Sequence, residues 1–260
     1  MNKYNSTKTE NEPREDVVVG RNAVRELLRS GRAVDKIFVA KGSRGGSLGE
    51  IISDAKRRGI AVNEASVSKL DGLACGVPHQ GVAAITGEIE YSSVDDILAY
   101  ADSKGEPPFV VIADSINDPR NLGALARCAD AAGAHGMIIP SRHSAGMTPV
   151  AVKASAGAAE HLKIAKVVNL SRTIEQLKKA GLWIFCAEAG AKQYSETDMT
   201  GPAAFIFGSE GSGVSRILRE ASDFQVSITM RGMVNSLNVS CAAAVILCEA
   251  ANQRAVKSKP

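Results

Sequence analysis

The chain has 260 residues, 45% of them hydrophobic and 23% charged, with a formal net charge of +3 at pH 7. This length suits one large domain or two ordinary ones. The small net charge alone indicates no partner, because a nucleic-acid binder must gather its basic residues on one face. No apolar run reaches the length of about eighteen residues that a membrane span needs. The N-terminal segment, 1–15, lacks the apolar stretch of a signal peptide, which predicts a disordered tail and a cytoplasmic protein.

Cysteine and histidine spacing gives no sign of a metal site. The five cysteines form no CxxC pair, and the four histidines form no HExxH motif. Several cysteines fall inside apolar helical runs, so we expect buried free thiols. We therefore predict a protein without a bound metal.

The N-terminal part of the chain alternates short β-branched runs with helical patterns. The predicted strands are DVVVG, DKIFVA, IAVNEA and HQGVAAITGEIEY, and the predicted helices are RNAVRELLRSG, SLGEIISDAKRRG and SVSKLDGLA. Gly31 and Gly59 close the first two helices. This alternation predicts a small α/β module over 16–91. The stretch ADSKGEPP then predicts a Pro/Gly-containing linker over 92–107.

The rest of the chain, 108–255, predicts a second α/β domain with more continuous apolar strands, which are typical of a parallel sheet covered on both faces. The predicted strands are FVVIAD, GMIIP, KIAKVV, LWIFCAEA, AAFIF and FQVSIT. Helical patterns lie between them, including TPVAVKASAGAAEHL and a last apolar helix from about Val239. The polar clusters of this domain follow apolar strands, and that edge of an open α/β sheet is where ligands bind.

The first polar cluster lies in DPRNLGALARCADAAGA and contains Asn121, Gly123 and Arg127. The simpler interpretation is a loop and an amphipathic helix with a solvated arginine, because long charged side chains are usually exposed. That interpretation is weakened by the position of Arg127, which interrupts an Ala/Leu-rich run that we expect to be buried.

The second cluster, FIFGSEGSGVS, is an apolar strand that runs into a glycine-rich turn with Glu210. Gly208 and Gly213 have the spacing of a phosphate-binding loop, but Val214 stands where that loop needs its lysine. A purely structural turn is one interpretation. The other is a loop whose backbone approaches a ligand closely, as glycine permits, and which presents one acidic side chain.

The third cluster is SLNVS, at the start of the last helix. A helix end needs one or two short polar side chains as caps. Capping does not account for Ser236 and Asn238 on both sides of Leu237. We therefore expect some of these side chains to serve a site.

Taken in this order, the clusters resemble the three motifs of the SpoU family of RNA ribose 2'-O-methyltransferases, in the SPOUT superfamily. They match its patterns N-x-G-x-x-x-R, G-x-E-x-x-G and S-L-N-V-S. In the N-terminal module, GRNAVRELL and GVPHQGVAA resemble the ribosomal-protein-like substrate-binding domain of the ribosomal-RNA branch, which includes 23S ribosomal RNA guanosine 2'-O-methyltransferases. The resemblance covers nearly the whole chain outside the tails.

The resemblance implies a C-terminal α/β domain with a parallel sheet and a deep trefoil knot, a rare exception to the rule against threaded chains. It also implies S-adenosylmethionine as methyl donor and a homodimer whose knotted domains face each other and complete the active site. The implied donor contacts are Gly208, Ser209, Gly213, Ile228 and Leu237. The implied catalytic residues are Asn121, Arg127, Glu210, Ser236 and Asn238.

The family's usual proposal makes Arg127 the base that takes the ribose proton. A guanidinium is normally always charged, so two alternatives stay open: Arg127 stabilises the developing alkoxide, or it holds a neighbouring phosphate through paired hydrogen bonds. Glu210 would orient Arg127 or Asn121. Ser236 and Asn238 would fix the ribose and the donor.

The implied substrate is ribosomal RNA, most specifically a guanosine of 23S ribosomal RNA. Candidate phosphate contacts in the N-terminal module are Arg21, Arg25, Lys41 and Arg44, with ordinary solvated charge as the alternative for each. Three other interpretations stay open. Two are enzymes: one that modifies transfer RNA, and a resistance-type enzyme that modifies another ribosomal site. The third is a catalytically idle RNA-binding protein, which would have little physical need for the whole motif set.

Overall fold

The computed structural model describes residues 16–42, 45–86 and 90–257. The predicted disordered tail, 1–15, and the candidate RNA contact Arg44 lie outside the described residues. Within the described part of the chain, no helix combines the length and the apolar character that crossing a bilayer requires. Those residues also bring no group of three or more His, Cys, Asp or Glu side chains together as metal ligands.

The N-terminal module is a four-stranded sheet with helices packed on it. The strand order is β1-β4-β2-β3, in which β4 pairs antiparallel with both β1 and β2, and β3 pairs parallel with β2. The elements are β1 (Val17–Val19), α1 (Arg21–Ser30), β2 (Val34–Ala40), α2 (Ser47–Arg57), β3 (Ala61–Ala65), α3 (Val67–Ala74) and β4 (Val82–Thr86).

Helix α1 shows why this part of the sequence folds as predicted. Its apolar residues recur at helical spacing, so that Ala23, Val24, Leu27 and Leu28 are all buried on one face. Gly31 ends the helix in the left-handed region, at φ 76°, where glycine carries no steric cost.

The segment predicted as a linker contains a helix that was not predicted from the sequence, α4 (Val94–Lys104). Ser93 and Asp96 form a capping box: the Ser93 hydroxyl accepts from the Asp96 N–H, and the Asp96 carboxylate accepts from the Ser93 N–H. Ile97 is fully buried and packs against Gly136, where a Cβ atom would lie 2.6 Å from it. The glycine and prolines at the end of the segment mark only the helix terminus.

The C-terminal domain is a six-stranded sheet in which every pairing is parallel, in the order β10-β8-β9-β5-β6-β7. The elements are β5 (Phe109–Ala113), α5 (Pro119–Ala131), β6 (Gly136–Pro140), α6 (Pro149–Ala154), β7 (Lys163–Val167), α7 (Leu170–Lys179), β8 (Trp183–Gln193), β9 (Ala203–Phe207), α8 (Arg216–Ala221), β10 (Phe224–Ser227) and α9 (Val239–Lys257).

The sheet is covered by helices on both faces, as the continuous apolar strands predict. Buried residues of α5 and α9 pack on one face, while those of α4, α7 and α8 pack on the other. The parallel α/β fold is therefore confirmed. The trefoil knot stays a prediction.

The segment predicted as one helix, TPVAVKASAGAAEHL, is divided into α6 and a short 3-10 turn, Ala158–Glu160. The break is at Gly157, whose φ is 105°. A Cβ atom there would lie 2.3 Å from the Glu26 side chain of the N-terminal module. The division therefore follows from close packing between the two parts of the chain.

The two parts share one continuous apolar core and a polar junction. Buried residues of β1 and α1 belong to the same cluster as those of α5 and α6. At the junction, Arg32 donates to Glu160 at 3.3 Å, and the Glu160 side chain is only 2% exposed. Lys153 also donates to the carbonyl of Pro78. The N-terminal module is therefore packed firmly on the C-terminal domain.

The cysteines are less buried than expected. Cys186 is buried, but Cys241 and Cys248 are exposed on α9. Both lie in an apolar run, which is why the sequence suggested burial. That helix leaves one face uncovered in the single chain.

Candidate active site

The three polar clusters lie at the carboxyl edge of the C-terminal sheet. The first follows β5 at the start of α5, the second follows β9, and the third precedes α9 after the loop that leaves β10. β9 lies between β5 and β8, so the glycine-rich loop stands at the middle of this edge. The topology therefore places the clusters where open α/β sheets bind ligands.

Side chains from all three clusters meet in one hydrogen-bonded network. Asn121 donates to Glu210 Oε1 at 3.0 Å, and Asn238 donates to Asn121 Oδ1 at 3.0 Å. Asn238 also donates to Glu210 Oε1. These hydrogen bonds thus join side chains that are 89 and 117 positions apart in the sequence.

Asn238 has a second role, as the cap of helix α9. Its Oδ1 atom accepts from the Ser240 N–H at 2.9 Å and from the Ser240 hydroxyl at 2.6 Å. The side chain therefore uses its oxygen for the helix and its nitrogen for the network. Capping therefore does account for Asn238, contrary to the expectation from sequence, but the same amide also belongs to the network.

The glycine-rich loop is a tight turn that only glycine permits. A Cβ atom on Gly208 would lie 2.0 Å from the backbone of Gly213, and Gly213 has φ 66°. Ser209 and Gly213 exchange backbone hydrogen bonds of 3.1 and 2.9 Å across the turn. This close approach presents Glu210 at the tip of the turn.

A cavity of about 320 Å³ opens beside this network. Its wall includes every residue predicted to contact the donor: Gly208, Ser209, Gly213, Ile228 and Leu237. Glu210 and Ser236 also line it, whereas Asn121 and Asn238 do not and reach it through Glu210. Its size lies within the range of small-molecule pockets, about 300–1,000 Å³.

One wall of the cavity contains none of the site residues predicted from the sequence; it is formed by Ala187, Glu188 and Ala189. These residues belong to an irregularity in β8. Consecutive residues of β10, Gln225 and Val226, pair with Cys186 and Lys192 of β8, so the intervening β8 residues bulge out. A glutamate and a glycine directly after the apolar run of this strand were the signal that could have located it.

Arg127 stands apart from the network. It is exposed on α5, and no other residue in 16–42, 45–86 or 90–257 forms a hydrogen bond or ion pair with its side chain. Glu210 therefore contacts Asn121 and not Arg127. Burial raises the pKa of the neighbouring Cys128 thiol, with smaller contributions from Cys248 and Cys241. That thiol stays protonated near neutral pH and offers no nucleophile.

Gly123, the motif residue between Asn121 and Arg127, has a packing role. A Cβ atom there would lie 2.1 Å from the Ala151 carbonyl oxygen and 2.7 Å from the Ala154 side chain. Glycine therefore lets α5 and α6 come into direct backbone contact. This contact fixes the helix that carries Asn121.

Two of the three described candidate RNA contacts of the N-terminal module, Arg21 and Arg25, are engaged within the module. Arg21 donates to the Gln80 carbonyl and to the Ser47 hydroxyl, at 3.0 and 3.2 Å. Arg25 forms an ion pair of 3.1 Å with Glu50. Lys41 is exposed. Their contact with RNA stays a prediction.

This fold and site define an α/β enzyme that binds a small molecule at the carboxyl edge of a parallel sheet. Residues 108–248 match the SpoU rRNA Methylase family, and residues 17–92 match the family described as RNA 2'-O ribose methyltransferase substrate binding. The chain belongs to the SpoU rRNA Methylase family, a family of RNA methyltransferases. The predicted family and the predicted N-terminal substrate-binding domain are confirmed.

Individual relatives agree with this assignment. A Bacillus subtilis protein, YacO, assigned to the TrmH family of tRNA/rRNA methyltransferases, is 41% identical over 240 residues, which are 92% of this chain and 96% of that protein. The structure of the SpoU methyltransferase AviRb from Streptomyces viridochromogenes, in complex with AdoMet, superposes with a TM-score of 0.76 at 25% identity, covering 92% of this chain and 90% of that chain. The A. aeolicus TrmH/SpoU tRNA modifying enzyme has a TM-score of 0.53 at 30% identity and covers 58% of this chain and 78% of that chain.

Proposed function

We propose that the protein transfers a methyl group from S-adenosylmethionine to a ribose 2'-hydroxyl of 23S ribosomal RNA, at a guanosine. The observation that carries this proposal is the meeting of Asn121, Glu210 and Asn238 beside a cavity of about 320 Å³. A separate N-terminal module supports ribosomal RNA as the substrate, because family members that act on transfer RNA often lack it. Transfer RNA stays the alternative substrate.

The residues of the cavity fit the donor. Apolar side chains such as Ile228, Leu237 and Ile246 suit a flat aromatic base, and the glycine-rich turn brings backbone groups to the cavity wall. When bound, S-adenosylmethionine supplies an electrophilic methyl group. Gly208, Ser209, Gly213, Ile228 and Leu237 would hold it.

The network would position the ribose for transfer. A displacement needs the attacking oxygen held in line with the methyl group, and positioning supplies several kcal/mol of the barrier. The amide of Asn121 and the hydroxyl of Ser236 offer hydrogen bonds to a ribose, while the Glu210 carboxylate orients Asn121 and Asn238. Glu210 is thus a positioning residue in this mechanism.

Arg127 would act on the ribose or its phosphate from the partner subunit of a homodimer. Its place outside the network supports this proposal. Arg127 lies six positions after Asn121, so the two side chains point about 120° apart around the helix. The guanidinium would stabilise the developing alkoxide or hold the adjacent phosphate. The dimer would use the exposed face of α5 and α9 in the knotted domain.

Mapping of 2'-O-methylation tests the proposal. Ribosomal and transfer RNA from cells with and without the gene would be compared by mass spectrometry, and a plasmid copy would restore the protein. We expect one 23S guanosine to lose its methyl group and regain it. The plasmid copy with Asn238→Ala serves as the matched control and should not restore it. Loss of a transfer-RNA methyl group instead would favour the alternative, and no change in either RNA would contradict both.

A further inference from the structure

The cavity wall carries a carboxylate that no sequence motif indicated, Glu188. Together with Glu210 it is one of two acidic side chains in the wall, and the described wall contains no Lys, Arg or His. Glu210 is occupied by the asparagine network. Glu188 therefore calls for a separate explanation.

The Glu188 carboxylate is held by one oxygen only. Arg219 of α8 donates to Glu188 Oε1 at 2.6 Å, and the two side chains are 36% and 24% exposed, respectively. Among the described residues nothing donates to the other carboxylate oxygen. The result is an oriented carboxylate on the cavity wall, with one acceptor oxygen that no described residue occupies.

The sheet places Glu188 away from the reacting end. β8 and β5 lie on opposite sides of β9, so Glu188 is across the glycine-rich loop from Asn121. The bulge that carries Glu188 is fixed by Ser227, whose hydroxyl donates to the Ala191 carbonyl at 2.6 Å. A group bound there would be held at a fixed distance from the asparagine network.

We propose that Glu188 is a donor-binding residue that accepts hydrogen bonds from the ribose hydroxyls of the adenosine part of S-adenosylmethionine, with Arg219 as its positioning residue. This inference rests on the proposed function. Arg219 largely offsets the carboxylate charge, which suits neutral hydroxyl donors better than an ammonium group. Carboxylates accept from ribose hydroxyls in the same way in dinucleotide sites.

Calorimetric binding of three compounds to the full-length protein tests the inference. The compounds are S-adenosylhomocysteine, 5'-methylthioadenosine, which has the ribose but no amino-acid group, and the 2',3'-dideoxy form of the latter. We expect Glu188→Ala to weaken the first two by a similar factor, about ten- to a hundredfold, because a hydrogen bond to a charged group is lost. The dideoxy compound should bind wild type and variant equally.

The matched control is Glu220→Ala. Glu220 forms an exposed ion pair with Arg216 on the same short helix as Arg219 and does not line the cavity, so binding of all compounds should be unchanged. Arg219→Ala should weaken binding less than Glu188→Ala. If Glu188→Ala lowers the thermal midpoint, Glu188→Gln keeps the size of the side chain and repeats the comparison.

Each other outcome overturns the inference in a recognisable way. Weaker binding of S-adenosylhomocysteine with unchanged binding of 5'-methylthioadenosine would mean that the carboxylate holds the ammonium group. Equal binding by wild type and both Glu188 variants would mean that Glu188 makes no donor contact, and it would leave the proposed function intact. A wild-type protein that binds none of the adenosine compounds would overturn the proposed function together with this inference.

Discussion

The N-terminal module and the C-terminal site use their polar side chains in opposite ways. In the module, Arg21 and Arg25 are bound to neighbours within the same small sheet and its helices. At the site, Asn121, Glu210 and Asn238 come from distant segments and meet beside a cavity, while Arg127 has no partner among the residues described. Basic residues that pair with neighbours in their own module stabilise its fold. A site is indicated instead where polar residues from loops after separate strands come together.

The largest expected effect concerns Arg127. We expect Arg127→Ala to lower the single-turnover rate of methyl transfer by about two to four orders of magnitude, because a positioned charge or base is lost. Donor binding by calorimetry should be unchanged. Arg216→Ala, which removes another exposed arginine of the same domain, is the control and should keep its rate. A loss of less than about tenfold would make Arg127 an ordinary surface residue.

Gly123 is the residue of the first motif that has a packing role and no proposed role in the reaction. We expect Gly123→Ala to lower the free energy of unfolding by about 3 kcal/mol, since the added Cβ meets a backbone carbonyl that cannot move aside. Urea unfolding measures this. The control is Gly72→Ala in α3 of the N-terminal module, where a Cβ atom meets nothing within 4 Å, and it should be neutral or slightly stabilising. Equal stability of the two variants would refute the packing role.

Mixed dimers test whether Arg127 acts across subunits. Arg127→Ala and Asn238→Ala chains, each inactive alone, would be co-expressed and the rate of methyl transfer measured. If Arg127 serves the partner's site, each mixed dimer has one complete site, and random mixing restores about a quarter of the wild-type rate. Wild-type chains mixed with Asn238→Ala chains calibrate the measurement. No recovery would place Arg127 in the site of its own chain.

Two basic residues of the N-terminal module have different environments: Lys41 is exposed, whereas Arg25 is paired with Glu50. We expect Lys41→Ala to weaken RNA binding a few-fold and to reduce the slope of log affinity against log salt by about 0.7–0.9, because one phosphate contact is lost. Arg25→Ala should leave the slope unchanged, since Arg25 is paired with Glu50. Filter binding at several salt concentrations measures both. The opposite pattern would mean that Arg25 leaves Glu50 to bind RNA.

The smallest expected effect is a pH dependence at the junction of the two parts. Burial raises the pKa of Glu160 above its ordinary value near 4.5, against the opposing influence of Arg32. The folded protein therefore holds this proton more tightly than the unfolded chain. Its contribution to stability is complete below the ordinary pKa and is lost as pH rises through the raised one.

Urea unfolding from about pH 4 to about pH 7 measures this dependence. We expect the stability of wild type relative to Glu160→Gln to decline across the range as pH rises. Glu220→Gln, at an exposed ion pair, should run parallel to wild type. A wild-type stability that rises relative to Glu160→Gln would show that Arg32 outweighs burial.

Much of the fold followed from local signals, whereas the donor contacts were implied by the family resemblance, and what was missed has physical causes. Strand and helix periodicity predicted nearly every element, and Gly208, Ile228 and Leu237, which the resemblance implied as donor contacts, do line one cavity. Helix α4 was not predicted because the glycine and prolines of its segment indicate a linker, although Ser93 begins the helix with a capping box. The Glu188 wall depends on a shift in strand register, which arises only when two strands pair.

Arg127 illustrates a different limit of sequence reasoning. The spacing of a motif says which residues share a segment, but not which of them share a contact. Asn121 joins the Glu210 network, whereas Arg127 on the same helix does not. In the proposed homodimer the two would meet across subunits, and no pattern within one chain records that geometry.

The segment 149–160 contacts both helix α5 of the active site and the N-terminal module. Ala151 contacts the helix of Arg127 through Gly123, and Gly157 and Glu160 hold Glu26 and Arg32 of the N-terminal module. The distance between the RNA-binding module and the active site would therefore be constant. We expect the target nucleotide to be selected by its distance, in the folded RNA, from the part of the RNA that the module binds. Substrates of different sequence but equal shape would then be methylated at the same spacing.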